Sequence, residues 1–295
     1  MTKKLRNIFI FILTIWTKGI FASPQMPDYI IYGKDTIATY NLILENYMQR
    51  LDTPKIDKLF GLSFRDPSSL SSSTGCWRGY QAVYKIENDS LFLVDILNCD
   101  ELENGEINKV RSAEKIKAMF GCRFIGGRVF INWFSGSISF PLTNEVLRWD
   151  GVFYKIYEKE KVFDISNGLI TKVEDVDNYI DDPKRIDRRD VSKISNLLFK
   201  KLKRIKWKNI NVFDCSYAYL VTIDENGNIS KVRTQYSNEK IEKDCEENRF
   251  CTNIIFNALK SLKFEIIKDK GKPISDDIYI EIWIEDDCKI ENWTH

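Results

Sequence analysis

Residues 216–234 read SYAYLVTIDENGNISKVRT, and the C-terminal third of the chain is organised around them. Tyr217, Tyr219, Val221 and Ile223 fall two apart and therefore share one face of an extended strand. Asn226-Gly227 follows, a pair suited to the positive φ angles of a tight hairpin turn. The return strand begins at Ile229. Because Ile229 and Val232 are three apart, a strand that keeps both inward needs a bulge between them.

Helical patterns flank this hairpin. Val191, Ile194, Leu198, Leu202 and Ile205 recur at three or four residues and make an apolar stripe. Lys200, Lys201, Lys203 and Arg204 occupy the rest of that helix. They read either as a surface that attracts phosphate or, more plainly, as a solvated helix face, since no aromatic is interleaved. A second helix is expected near residues 253–263, where Ile254, Ala258 and Leu262 are four apart. The last strand covers residues 278–284, with Ile278, Ile280, Ile282 and Ile284 on one side and Tyr279, Glu281 and Trp283 on the other. Upstream, residues 175–190 are dense in charge, with Asp181-Asp182-Pro183 and Arg188-Arg189-Asp190, and read as a linker.

The N-terminus has the order of a secretory signal peptide. Lys3, Lys4 and Arg6 precede an apolar run, and Phe21-Ala22-Ser23 supplies small residues before Pro24. An uncleaved anchor is the rival reading, but a span needs about 20 apolar residues and Lys18 interrupts this run. About 270 mature residues suggest two domains. The division expected is a signal peptide at 1–23, a β-rich domain at 27–174, the linker at 175–190 and a small domain at 191–288. Forty-four basic and 43 acidic residues leave a net charge of +1, so no global field favours nucleic acid or an acidic membrane. No other stretch is apolar enough to span a bilayer. The single histidine is His295, which argues against Ser-His-Asp or Cys-His catalysis and against His-based zinc sites. No metal site and no cofactor is expected. Seven cysteines in an exported chain suggest disulfides with one thiol left over.

The first domain reads as many short strands broken by turn signals, an antiparallel sheet or sandwich. A hairpin is expected around Asn88-Asp89, and another turn at Asn167-Gly168. Short helices are expected over residues 41–51 and toward residue 119. The densest cluster is Cys76-Trp77-Arg78-Gly79-Tyr80, followed by Trp133-Phe134-Ser135-Gly136 and Trp149-Asp150-Gly151. Trp77, Trp133 and Trp149 read either as an aromatic shelf for a sugar or peptide, with Arg78 as an anion clamp, or as a Trp-rich core with Arg78 stacked on a ring. These pieces are similar to bacterial envelope proteins of uncharacterised function.

The order helix, Trp207, strand, Asn-Gly turn, strand, helix, Phe264, Gly271-Lys272-Pro273-Ile274 and strand resembles the C-terminal domain of the TonB family over residues 190–285. The residues that carry the likeness are 221–224, Gly227, Ile229 and Val232 in the hairpin, Ala258 and Leu262 in the helix, then Phe264, Gly271, Pro273 and the last strand. Ile266 stands where the family usually has proline, and the long proline-rich spacer of TonB itself is not present. The resemblance implies an α+β fold, a three-stranded antiparallel sheet packed on helices. In that fold the last strand pairs with the first hairpin strand, which would bring Cys215 within disulfide reach of Cys288. Cys245 and Cys251 would make a second pair. The family takes up an extended peptide by strand addition, which here would use the edge at 278–284, with Tyr279, Glu281 and Trp283 as binding residues beside Trp77 and Arg78 in the first domain.

These readings favour a non-enzymatic protein exported to the periplasm or beyond, binding or scaffolding a protein or peptide partner of the bacterial envelope. Two alternatives stay open. One is a secreted carboxylate-dependent hydrolase, for which Asp95 with Asp150 is one of many pairs. The other is an anchored energy transducer, which needs the N-terminal segment retained.

Overall fold

The computed structural model describes residues 25–51, 75, 76, 78–99, 101–151, 154–209, 213–235 and 246–294. The signal-peptide expectation falls outside them, as do Trp77 and Cys245. The described chain mixes strands and helices, with several antiparallel pairings. No described helix is long and apolar enough to cross a membrane. The chain divides into two compact units. The first takes the described residues up to Ile138 with Trp149–Lys155 and Phe163–Val173. The second takes Ser139–Arg148, Ile156–Val162 and the described residues from Glu174 on.

The first unit opens with β1 (Asp28–Tyr32) and β2 (Asp35–Thr39), then α1 (Ile43–Met48). β3 (Gln81–Glu87) and β4 (Ser90–Leu97) form the expected hairpin. Its turn residues, Asn88 and Asp89, have φ of 49° and 54°, the two positive angles of a type I′ turn. β1 runs parallel to β3, with Ile30 opposite Tyr84. α2 (Glu101–Asn104) and α3 (Lys109–Phe120) follow. α3 packs on β4 and buries Ile116, Met119 and Phe120. Next in the chain come β5 (Val129–Phe130), β6 (Gly136–Pro141), β7 (Val146–Trp149), β8 (Lys155–Tyr157), β9 (Lys159–Ser166) and β10 (Leu169–Asp177), with β9 and β10 turning at Asn167-Gly168; residues 146–148 of β7 and 156–157 of β8 belong to the second unit. A disulfide joins Cys76 to Cys99, and Cys122 is an exposed free thiol.

In the second unit, residues 175–190 are packed rather than left as a free linker. They hold the end of β10 and β11 (Tyr179–Ile180), and Asn178 and Arg188 are fully buried. Asn178 donates through Nδ2 to the Tyr157 carbonyl and the Glu160 carboxylate, and accepts from the Gly271 N–H at 2.9 Å. The charges of this stretch are held by intra-unit partners, which is why composition alone misreads it.

α4 (Val191–Leu202) starts where the stripe predicts, with the Asp190 carboxylate accepting from Ser192 and Lys193 N–H. β12 (Ala218–Ile223) and β13 (Ile229–Thr234) form the hairpin. The register slips between Thr222 and Ile223, so Ile229 and Val232 both turn inward. The turn differs from the expected type. Gly227 alone has positive φ, at 78°. Its N–H donates to the Asp224 carbonyl, and the Asp224 carboxylate accepts from Asn226 and Asn228 N–H. This is a longer, five-residue connection, and the bulge follows it at Ser230 in β13.

α5 (Glu246–Leu259), β14 (Ile266–Asp269), β15 (Lys272–Pro273), β16 (Asp276–Ile284) and β17 (Ile290–Asn292) complete the unit. Its main sheet has the order β13-β12-β16-β17. β16 lies antiparallel to β12, with Val221 opposite Ile278 and Tyr219 opposite Ile280. Tyr219, Val221, Ile223, Ile278, Ile280 and Ile282 join Ile194, Leu198 and Leu202 of α4 and Cys251, Ile255 and Leu259 of α5 in one core. Each such apolar side chain contributes about 1.5–3 kcal/mol on burial.

The expected disulfide pairing is wrong. Cys215 is bonded to Cys251, with Cα atoms 5.4 Å apart, and Cys288 is a free thiol. α5 begins at Glu246, earlier than expected, so Cys251 falls one turn before Ile255 and two before Leu259 on the buried stripe facing the start of β12. The bridge spans 36 residues and is worth about 4 kcal/mol by loop-closure entropy.

Non-reducing peptide mapping is expected to recover Cys215 linked to Cys251. A chain carrying alanine at both positions should lose about 3–4 kcal/mol in urea unfolding. A Cβ at Gly227 would sit 2.0 Å from the Phe264 carbonyl oxygen. Gly227→Ala should therefore cost about 2 kcal/mol or more, whereas the same change stabilises by about 0.4–1 kcal/mol where space and φ permit it.

Candidate functional site

The last strand of the chain's core sheet does not present the open edge expected of it. β17 folds back on β16, setting Ile282 opposite Asn292, Trp283 opposite Glu291 and Ile284 opposite Ile290. The Trp293 N–H donates to the Glu281 carbonyl, and the Glu281 N–H reaches the Thr294 hydroxyl at 2.9 Å. The Tyr279 carbonyl accepts from the Ser195 hydroxyl. Strand addition along residues 278–284 is therefore blocked by the chain itself. Nothing in residues 285–294 carries a strong strand signal; the alternation of Lys289, Ile290 and Glu291 is its only trace.

The edge is moved outward, onto β17. The 281/293 and 285/289 pairs each make one ladder hydrogen bond, Trp293 N–H to the Glu281 carbonyl and Glu285 N–H to the Lys289 carbonyl, so Ile290 and Asn292, lying between, turn their backbone N–H and C=O away from β16. Beside this edge runs an open groove of about 570 Å³, lined by Phe199 of α4, by Lys203, which caps that helix, and by Glu285, Asp287, Lys289, Ile290, Glu291 and Asn292. Lys203 belongs to the basic helix face singled out in the sequence. On the opposite face of the sheet, Trp283 stacks on Trp293 with ring centroids 5.4 Å apart, and the two remain 43% and 44% exposed. The Tyr279 hydroxyl donates to the Glu281 carboxylate on that same face. Tyr279, Glu281 and Trp283 thus share a surface, as expected of them, and Trp293 joins them unannounced.

The two described tryptophans of the expected shelf, Trp133 and Trp149, do not share a surface. Trp133 is buried between Tyr47 and Phe120 and donates its indole N–H to the Ile43 carbonyl. Trp149 is exposed, with the Lys155 ammonium over its ring. Arg78 is no anion clamp. Its Nη1 lies 3.0 Å from Asp28 and 2.6 Å from Glu45, its Nη2 donates to the Met26 carbonyl, and its side chain is 5% exposed. The guanidinium also stacks over the Tyr80 ring. Asp95 is held by Lys109 and Ser112, while the Asp150 carboxylate accepts from the Tyr154 N–H. No cluster of three or more His, Cys, Asp or Glu suited to a metal ion occurs among the described residues.

No family model matches this chain, and neither the curated proteins nor the solved structures contain a match to it.

Burial pushes the Asp28 carboxyl up to about 6, opposed by the Arg78 charge and assisted by the Glu45 carboxylate. Folded Asp28 thus keeps a proton that an unfolded aspartate, with its ordinary value of 3.8, has already released. The stability due to this group is fully present below about pH 4 and is lost as the pH rises through about 6. Urea midpoints of wild type and Asp28→Asn measured from pH 4 to 7 should show this loss in the wild type only. Arg78→Met, which leaves Asp28 and Glu45 buried without their cation, should cost about 3–5 kcal/mol.

Proposed function

We propose that this chain is a non-enzymatic binding protein of a bacterial envelope, exported by its N-terminal segment, which takes up an extended peptide as an added strand beside β17. The observation that carries this reading is the edge at Ile290 and Asn292, with outward backbone groups between a largely charged groove floored by Phe199 and Ile290 and an exposed pair of indoles. The element order α4, β12, β13, α5, β16 supports a TonB-like C-terminal module.

The expected affinity follows from the length of the edge. Two residues offer four backbone groups, each worth about 1 kcal/mol net, which alone corresponds to binding in about the millimolar range. Tighter capture depends on side chains. An added strand alternates its side chains between the two faces, so successive residues would meet Trp293 on one side and Phe199 with Ile290 on the other. Glu285, Asp287 and Glu291 outnumber Lys203 and Lys289 in the groove, which favours a basic residue in the peptide.

Asn292→Pro tests the edge selectively. Proline there removes an outward N–H while leaving the β16 ladder its donors. Peptides selected on the full chain from a random display library should bind the variant about tenfold more weakly. If no peptide is enriched, or if the enriched ones bind both proteins equally, strand capture at β17 is wrong.

A further inference from the structure

Arg148 and Arg188, both in the second unit, hold one carboxylate between them, that of Asp276. Arg188 reaches it through Nη2, which also lies 3.3 Å from the Ile223 carbonyl; Arg148 reaches it through Nε. The Arg188 side chain has no solvent exposure at all. Two guanidiniums against one carboxylate leave a positive charge in excess. Asp224 adds attraction to Arg188, but its Oδ1 is taken by the Asn226 and Asn228 N–H groups.

The donors show the same imbalance. Arg188 Nε and Nη1 and Arg148 Nη2 are buried with no hydrogen-bond partner among the described residues. Arg148 Nη1 is satisfied by the Leu147 carbonyl at 2.5 Å. Buried charged donors without acceptors are strongly unfavourable, and native interiors fill such places with protein acceptors, water or an ion. Arg78 in the first unit shows the balanced case, one guanidinium with two carboxylates and a carbonyl. The Arg148–Arg188 pair inverts that ratio. Every unmet group at it is a cationic donor, so the missing component is an acceptor, and negative charge is what the pair lacks.

We propose that Arg148 and Arg188 form an anion site completed by a small oxyanion, a carboxylate or inorganic phosphate, that accepts from one unmet donor of each arginine beside Asp276. Arg148 and Asp276 keep 15% and 16% of their side chains exposed, so the ion reaches the pair from the Arg148 side. The site is independent of peptide capture at β17. It ties β7, the stretch before α4 and the start of β16 to one charge, and its occupancy therefore adds to the stability of the second unit by mass action.

The test uses the full chain, with sodium phosphate and sodium acetate as probes and ionic strength held constant with sodium chloride. The melting temperature should rise and saturate with phosphate, and titration calorimetry should show one saturable site. Response to phosphate alone assigns an inorganic oxyanion; response to acetate as well assigns the carboxylate group. Arg148→Met should weaken the apparent affinity about tenfold or more, and Asp276→Asn, which frees further donors, should strengthen it. If Arg148→Met does not fold, Arg148→Lys keeps the charge without the planar set of donors, and it should still bind phosphate more weakly. No saturable response in wild type, or equal affinity in wild type and the Arg148 variant, overturns the proposal.

Discussion

The second unit depends on β12 being paired on both sides while one of its faces is buried. Tyr219, Val221 and Ile223 are fully out of solvent, with β13 hydrogen-bonded along one edge of the strand and β16 along the other. A slip of one residue against either neighbour would turn this whole set toward water. The register is therefore held by several apolar side chains at about 1.5–3 kcal/mol each, and everything attached to it inherits a fixed place. The bulge at Ser230 follows, because Ile229 and Val232 must both stay inward. So does the contact of Gly227 with the Phe264 backbone, where the Phe264 N–H donates to the Gly227 carbonyl at 2.8 Å.

Position of the candidate edge is a further consequence of that register. Because Tyr219 faces Ile280, the even-numbered residues of β16 send their backbone groups toward β12, and Glu281 and Trp283 send theirs the other way. β17 takes up those groups, so the exposed hydrogen-bonding line is shifted by one strand and shortened to Ile290 and Asn292. A short edge is the common defence against unwanted pairing. It also makes the flanking side chains, Phe199 on one face and the Trp283–Trp293 stack on the other, the source of any selectivity.

Charge is handled differently in the two units. Around Arg78, two carboxylates share one guanidinium, and burial raises the proton affinity of Asp28 rather than leaving an excess of negative charge. Around Asp276, two guanidiniums share one carboxylate, and arginine cannot shed its proton to restore balance near neutral pH. The first arrangement closes on itself. The second leaves donors unmet, which is the physical ground for an added anion.

How much of this was legible depends on the range of the forces involved. Period-two spacing located β12 and β16 and three-to-four spacing located α4, because side-chain direction along a single element follows from backbone geometry alone. The hairpin at Asn88-Asp89 was equally local, and the bulge could be deduced from the three-residue spacing of Ile229 and Val232. The Asn226-Gly227 turn was misread in type, because the Asp224 carboxylate and the Phe264 backbone, not the dipeptide, select its conformation. The cysteine partners, the packed state of residues 175–190 and the masking of β16 by β17 were decided by tertiary structure. Each depends on which distant segment arrives at a given surface: Cys251 on α5 meets Cys215 ahead of β12, Arg188 meets Asp276 at the start of β16, and β17 pairs with the edge of β16 that β12 leaves free. The amino-acid sequence by itself determined which faces must be buried; contacts between remote elements decided which edge, which thiol and which charge were left over.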